Sequence, residues 1–97
     1  MLILKTLARK GRSHGFEIAD HIAHASANVL QVEEGSLYPA LQRLLVDGAV
    51  RGEWGHTSEN RRARYYEISA VGRRLLDHEL QTYHRVAHAI ALVLQPG

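Results

Sequence analysis

The chain has 97 residues, which suits one compact domain and leaves no room for a catalytic domain beside a binding domain. It contains no cysteine, which excludes disulfides, thiolate nucleophiles and zinc sites built on cysteine. The formal net charge of +2 indicates no particular partner, but residues 48–74 carry six basic and three acidic side chains. Such a local excess of positive charge can bind phosphate groups, although a solvent-exposed charged face is the commoner explanation of a basic cluster.

The first helix is predicted from an apolar stretch at the beginning of the chain. Leu2, Ile3, Leu4 and Leu7 cover more than one side of a short helix, so we expect it to be buried on several sides. The stretch is short and is interrupted by Lys5, which argues against a secretion signal or a membrane span. We therefore expect a cytoplasmic protein that has no membrane partner.

An amphipathic second helix follows, because apolar residues recur at i, i+1, i+4 and i+7: Ile18, Ala19, Ile22 and Ala25. Residues 27–35 show no helical stripe and are predicted to be a connector. Asp20 and His24 stand four residues apart on the polar face, as do His84 and His88 later in the chain, and this spacing can hold a metal ion. A polar helix side that faces solvent is the simpler interpretation, so we expect no metal and no cofactor.

A third helix is predicted from a leucine stripe that includes Leu37 and Leu41 and ends at Asp47-Gly48. A proline is tolerated in the first turn, where the amide it lacks has no intrahelical partner, so Pro39 places the start near Ser36 and makes Ser36 the N-cap. The opposite face presents Ser36, Tyr38, Pro39, Gln42 and Arg43. Glutamine and arginine can pair bidentately with base edges, while serine and tyrosine commonly bind phosphate.

Beyond Gly48 the period becomes that of extended strands, and we predict one strand at residues 49–54 and a second at 61–68. The polar loop between them is followed directly by three arginines: Arg61, Arg62 and Arg64. Tyr66 and Ile68 share one strand face and are interpreted as core, Tyr65 is left open, and Trp54 is expected to pack under the hairpin. The predicted fold is mainly α with a small β-hairpin, an α+β winged helix-turn-helix with three N-terminal helices and a two-stranded wing.

The last segment is predicted to be one helix of about 25 residues that begins after Ser69 as its N-cap. Its apolar residues are spaced 4, 3, 4, 3, 4, as in a heptad seam: Leu76, Leu80, Tyr83, Ala87, Ile90 and Leu94. Such a helix is roughly 37 Å long, so its far end overhangs a single domain and needs a partner. A second copy of the chain is the simplest partner, although the helix packing entirely on its own domain is an alternative. We therefore predict a winged-helix domain at residues 1–68 and a dimerisation helix at residues 69–97.

Several stretches resemble the PadR-like transcriptional regulators. They are Ile3–Leu7, His14–Ile18, Gly35–Leu41 with Arg43–Leu44, Asp47–Gly48, Glu53–Trp54 and Arg64–Ser69 with Gly72. The most specific part is Gly-Ser-Leu-Tyr-Pro-Ala-Leu at residues 35–41, followed at the right distance by Tyr-Tyr-Glu-Ile-Ser at residues 65–69. The resemblance implies a winged helix whose third helix enters the major groove of double-stranded DNA and whose wing contacts the backbone or the adjacent minor groove.

Carried over by position, the resemblance implies two groups of DNA-contacting residues, which are Ser36, Tyr38, Gln42 and Arg43 on the recognition helix and Arg61, Arg62 and Arg64 on the wing. It also implies a homodimer to which the first helix contributes. Relatives include repressors that are released by small molecules bound near the dimer interface. We therefore expect a repressor of a roughly palindromic operator, with a small-molecule effector as a further candidate partner.

One other class of function stays open on the residues alone. A winged helix can bind protein as an assembly module without reading DNA, and changing Arg43 or Arg62 would then leave the binding of the true partner unaffected. An enzyme is not expected, because the sequence has no His-Glu-x-x-His, no nucleotide-binding glycine pattern and no serine in a nucleophile-elbow context.

Overall fold

The computed structural model describes all of residues 1–97. Its elements are α1 (Leu2–Lys10), β1 (Ser13–His14), α2 (Gly15–Ala25), α3 (Glu34–Val46), β2 (Val50–His56), β3 (Arg62–Ile68) and α4 (Ala70–Leu94). The predicted three helices, hairpin and long final helix are confirmed. β1 is absent from the prediction, because two residues are too few to show the alternation by which a strand is recognised.

The three strands form one antiparallel sheet in the order β1-β3-β2, so β3 is the central strand. β2 and β3 pair along their whole length as the predicted hairpin, and Ser13 of β1 pairs with Tyr66 on the other side of β3. Ser13 is buried, and its hydroxyl donates a hydrogen bond to the Gly11 carbonyl at 3.0 Å. β1 thereby ties the connection between α1 and α2 to the hairpin.

The core lies where the three short helices meet the sheet. Its fully buried apolar side chains come from all three helices: Leu4, Leu7, Ile18, Leu37 and Leu41. From the sheet, Val50, Tyr66 and Ile68 close it, so the prediction of Tyr66 and Ile68 as core is confirmed. Burying one leucine-sized side chain contributes about 2 kcal/mol, so these few residues supply much of the stability of a small domain.

The predicted start of α3 is wrong by two residues. The helix begins at Glu34 with Glu33 as its N-cap, and the amide of Ser36 donates to the Glu33 carbonyl at 3.0 Å. Ser36 is therefore inside the helix rather than its N-cap, and Pro39 lies in the second turn. Two acidic residues at the positive end of the helix dipole favour this earlier start. The carbonyl of Gly35, which Pro39 leaves without an amide partner, lies in an exposed turn that water can reach.

α4 begins at a tight junction with the hairpin, with Ser69 as its N-cap as predicted. The Ser69 hydroxyl accepts a hydrogen bond from the Gly72 amide at 3.1 Å and donates one to the Gly48 carbonyl at 2.6 Å. The Ser69 amide donates to the Ala49 carbonyl at 3.0 Å. A Cβ at position 72 would overlap that carbonyl oxygen, so only glycine lets α4 lie this close to the start of β2. The first turn of α4 is thus fixed to the base of the hairpin.

α4 extends well beyond the domain on which it starts. The molecule measures 58 × 28 × 22 Å, and its radius of gyration is 15.4 Å, against about 13 Å for a compact domain of this length. From residue 81 onward every residue is exposed except Ala87, which is half-buried. The alternative in which the whole helix packs on its own domain is therefore wrong. No helix is both long and apolar enough to cross a membrane.

The apolar seam that is available to a partner is shorter than the sequence predicts. Leu76 is only 5 % exposed and belongs to the core of its own domain, against which Leu80 also packs. Leu76 is not free for a second chain, because α4 rests on α1 and β3 before it leaves the domain. The exposed part of the seam therefore begins at Tyr83 and continues through Ile90 to Leu94.

Candidate nucleic-acid interface

The outer face of α3 is open to solvent. Leu37 and Leu41 anchor the helix in the core, and the predicted recognition residues on the other side are all exposed: Ser36, Tyr38, Pro39, Gln42 and Arg43. Arg43 has no carboxylate partner, since the ion pairs formed by arginines involve Arg12, Arg51 and Arg61. The hydroxyl of Ser36 is not used for capping. The face can therefore offer hydrogen bonds to base edges and to phosphate.

Two acidic residues mark one end of this face. Glu33 and Glu34 are exposed at the start of α3. Their charges interact favourably with the helix dipole, but they repel phosphate. A nucleic acid that contacts the outer face of α3 must therefore keep its backbone away from these two carboxylates.

The inner face of the hairpin changes from apolar to cationic along the strands. Strand alternation and the pairing register put Val50 opposite Ile68 at the base and Trp54 opposite Arg64 toward the tip. The base is buried in the core, whereas Trp54 is 55 % exposed. The prediction that Trp54 packs under the hairpin is therefore wrong, because the hairpin projects past the helices that would cover it.

The three arginines predicted for the wing differ in their partners. Arg61 forms an ion pair with Glu59 at 3.8 Å. The Arg62 guanidinium lies 4.3 Å from the centre of the Trp54 ring, and that of Arg64 lies 6.0 Å from the same centre. Neither Arg62 nor Arg64 has a carboxylate partner, and the Nε of Arg64 is buried without a hydrogen bond. The wing thus carries two cations whose charge is not compensated.

A groove of about 860 Å³ lies between the wing on one side and the start of α2 with Tyr38 of α3 on the other. Tyr38 lines it from α3, Phe16 from the start of α2, and Trp54, Arg62 and Arg64 from the wing. Phe16 is 72 % exposed, which leaves a large apolar ring open at the mouth of the groove. Tyr38 of α3 and the two unpaired arginines of the wing therefore face the same open space.

Tyr66 also lines this groove, but its side chain is buried. Burial raises the pKa of its hydroxyl, because the phenolate would lose its hydration, and the nearby Arg64 guanidinium opposes part of the increase. Tyr66 is therefore neutral around pH 7 and adds no negative charge beside the arginines.

The outer face of the hairpin is held by Arg12, which directly precedes β1. Its guanidinium lies 4.0 Å from the centre of the Tyr65 ring and 3.8 Å from the Glu53 carboxylate. The Tyr65 hydroxyl donates to the His56 carbonyl at 3.2 Å. Tyr65, whose role the sequence leaves open, therefore stiffens the wing from outside. Neither Arg12 nor Phe16 is a candidate from the sequence, because both acquire their surroundings only when distant segments meet.

The two residue pairs whose spacing can hold a metal ion lie apart from any further metal ligand. His24 Nδ1 lies 3.3 Å from the Asp20 carboxylate, and both side chains are exposed. His84 and His88 are exposed on α4. No group of three or more His, Asp or Glu side chains is arranged to hold a metal ion.

Comparison with known proteins assigns this arrangement to a family. The family model described as the transcriptional regulator PadR-like family matches residues 3–78, which is most of the chain. The chain belongs to the PadR-like family of transcriptional regulators. The predicted family is confirmed, and with it a DNA-binding regulator of transcription rather than an enzyme.

Solved structures of other regulators share the fold of this PadR-like chain. A transcriptional regulator from Clostridium thermocellum matches with a TM-score of 0.87 and 24 % identity, over 97 % of this chain and 90 % of that one. A PadR-like transcriptional regulator from Bacillus cereus matches with a TM-score of 0.80 and 24 % identity, over 98 % and 89 % of the two chains. An uncharacterized protein from Lysinibacillus sphaericus is 28 % identical over 94 residues, which is 97 % of this chain and 85 % of the relative. The solved structures confirm the winged-helix fold.

Proposed function

We propose that this PadR-like regulator is a homodimeric repressor that binds a roughly palindromic operator in double-stranded DNA. The observation that carries the proposal is the groove that Tyr38, on the exposed side of α3, shares with Arg62 and Arg64 of the wing. In this proposal α3 enters the major groove, and the wing contacts the flanking backbone or the adjacent minor groove.

The residues of α3 divide between reading bases and fixing the register. Gln42 and Arg43 read bases, because both are exposed and both can form bidentate hydrogen bonds with base edges. Ser36 and Tyr38 donate to phosphate or sugar oxygens beside them. Pro39 has no donor and contributes contact surface alone.

The arginines of the wing neutralise phosphate in this proposal, but not equally. Arg62 and Arg64 have no carboxylate partner, so their full charge acts on the backbone. Arg61 contributes less, because the negative charge of Glu59 at 3.8 Å partly offsets its own. Each phosphate contact adds about 0.9 to the salt slope, so the proposed dimer, which doubles the wing, binds with a steep dependence on salt.

A second copy of the chain covers the exposed half of α4. Tyr83, Ile90 and Leu94 are 52, 52 and 75 % exposed, with Val86 beside them. Their heptad spacing suits packing against an identical helix, and a twofold axis makes one apolar stripe complementary to itself. A dimer carries two α3 helices, so the half-sites of the operator lie about 34–36 Å apart or a multiple of that distance.

Repression follows from occupancy, because a dimer on an operator near a promoter blocks access to it. A small molecule that binds near the paired α4 helices is the proposed signal, acting through the spacing of the two α3 helices. Release of bound DNA by a candidate compound, measured by anisotropy at constant salt, tests this part of the proposal.

Selection of bound fragments from random duplex DNA, followed by fluorescence anisotropy across a salt series, tests the proposal. Arg43→Ala is expected to lose about 1–3 kcal/mol on the selected site and to relax its sequence preference. Arg62→Ala is expected to weaken binding to all sequences and to reduce the salt slope by about 2, because the dimer loses one phosphate contact in each protomer. Arg51→Ala is the matched control, because Arg51 lies on the outer face of the hairpin and pairs with Glu67 at 3.8 Å.

Enrichment of a sequence with two inverted half-sites supports the proposal. Failure to enrich any sequence, or equal affinities for wild type and all three variants, rejects it. That result leaves a protein-binding module, for which Arg43→Ala and Arg62→Ala would not change the binding of the partner.

A further inference from the structure

The inner face of the wing holds two cations in an arrangement that costs free energy. Arg62 and Arg64 stand two residues apart on the same face of β3, and neither has a carboxylate partner. Two positive charges so placed on neighbouring positions of one strand face repel each other. The Nε of Arg64 is also buried without a hydrogen-bond partner, which is rare in folded proteins. An arrangement of this kind indicates a partner that supplies negative charge.

Two residues of β2 keep these arginines in place. The Trp54 ring lies under the Arg62 guanidinium at 4.3 Å, and the negative face of an indole attracts a cation. Gly52 leaves the space that Arg64 occupies, because a Cβ at position 52 would stand 2.6 Å from the Arg64 Nε and 3.0 Å from a terminal nitrogen. Any other residue at position 52 would displace the guanidinium.

The two carboxylates that line the same groove are engaged elsewhere. Glu17 accepts a hydrogen bond from the His14 amide at 3.0 Å, and Glu59 pairs with Arg61 at 3.8 Å. Neither compensates Arg62 or Arg64, so the inner part of the groove stays positive.

We infer that Trp54 and Gly52 are positioning residues that preset Arg62 and Arg64 as a seat for the phosphodiester backbone of DNA. The inference rests on the proposed function and deepens it, since it says how the backbone is held rather than how bases are read. Tyr38 lines the opposite side of the groove and can donate its hydroxyl hydrogen to a phosphate oxygen. An arginine that is already held in place loses less side-chain freedom on binding than a free one.

Gly52→Ala tests the seat without removing a charge. The added methyl displaces Arg64, so affinity for any duplex is expected to fall about tenfold for each protomer, as for the loss of one charge-assisted contact in each. Gly55→Ala is the matched control, because it adds the same methyl to the same strand but meets Arg12 at 3.0 Å and Tyr65 at 3.1 Å. Its affinity is expected to stay within about twofold of wild type. In an Arg64→Ala background, Gly52→Ala is expected to cause no further loss.

Trp54 offers a second, independent test. Trp54→Leu is expected to weaken binding to all duplexes, whereas Trp54→Phe keeps an aromatic face for Arg62 and retains most of the affinity. In an Arg62→Ala background the two variants are expected to bind alike. Trp54 is also the only tryptophan, so DNA that occupies the seat is expected to change the tryptophan emission of the wild-type protein.

The salt series separates a phosphate seat from a general structural defect. Gly52→Ala is expected to lower the salt slope of the dimer by about 2, as Arg64→Ala does, and to leave the selected sequence unchanged. Equal losses for Gly52→Ala and Gly55→Ala, additive losses for Gly52→Ala and Arg64→Ala, or an emission that DNA does not change overturn the inference while DNA binding stands. If the wild-type protein binds no DNA, the proposed function and the inference both fail.

Discussion

The hydroxyl of Tyr38 in α3 lies against Gly15, the first residue of α2, so that a Cβ at position 15 would stand 2.9 Å from the hydroxyl oxygen. This contact joins the two helices of the helix-turn-helix at the edge of the groove that faces the wing. Tyr38 is itself 48 % exposed and lines that groove, so a ligand in the groove can reach its side chain.

Gly15→Ala is expected to weaken DNA binding without destabilising the fold. The new methyl meets the far end of an exposed side chain, so Tyr38 can move aside at little cost, and alanine favours a helix by up to about 1 kcal/mol over glycine. Thermal unfolding measures the stability, and anisotropy with the selected duplex measures the affinity. Because the displaced group is the hydroxyl, Gly15→Ala should add no loss in a Tyr38→Phe background; an additional loss there would contradict this explanation.

Gly35→Ala is expected to raise stability and lower DNA affinity together. A Cβ at position 35 meets nothing within 4 Å, so alanine in this helical turn stabilises the protein by about 0.5–1 kcal/mol. The methyl stands two turns before Gln42 on the same outer side of α3, where DNA approaches in the proposal. Urea unfolding and anisotropy measure the two effects. A stabilised variant with unchanged affinity would place this turn outside the DNA contact.

Ile90→Asp is expected to convert the proposed dimer into a monomer. A carboxylate in the middle of an apolar seam loses its hydration on association, which costs several kcal/mol. His88→Asp is the matched control, because it introduces the same group on the side of α4 away from the seam. Sedimentation equilibrium gives the mass of each protein. A monomeric wild type, or a dimer that persists in Ile90→Asp, argues against the α4 interface.

Tyr66 makes the free energy of unfolding depend on pH in the alkaline range. Because burial raises the pKa of its hydroxyl above 10.0, the folded protein keeps this proton to a higher pH than the unfolded chain does. The contribution of the protonated Tyr66 hydroxyl to the free energy of unfolding is fully present below about pH 10. It is lost as the pH rises through the pKa that this hydroxyl has in the folded protein. Tyr66→Phe removes the ionisation, so its unfolding free energy should decline less than that of wild type between about pH 9 and pH 11 in urea titrations. Parallel declines would show that Tyr66 does not cause the effect.

The sequence predicts a helix or strand correctly where that element buries a single face in the core. The stripe that holds Leu37 and Leu41 and the alternation of Tyr66 and Ile68 both report burial on a single face. The start of α3 does not follow, because Glu33 stabilises it by charge without a side-chain cap. The strand at Ser13 is hidden as well, since it exists only through pairing with a distant segment.

The candidate site follows from the sequence in part. The helical period predicts the outer face of α3, and the cluster of arginines at the start of the second predicted strand indicates the cationic part of the wing. The exposure of Trp54 depends on how far the hairpin projects past the helices, which no local pattern encodes. Leu76 has the spacing of a partner-facing residue, yet it is buried because α1 and β3 lie under the first part of α4.

The junction at Ser69 and Gly72 makes α4 a lever arm. Hydrogen bonds from Ser69, the N-cap of α4, reach the carbonyls where the hairpin begins, so the start of the helix is joined directly to the base of the wing. Over about 37 Å of helix, a tilt of about 5° displaces the far end by about 3 Å. In the proposed dimer, a ligand that changes the crossing angle of the two arms therefore alters the distance between the wings without touching a DNA-binding residue.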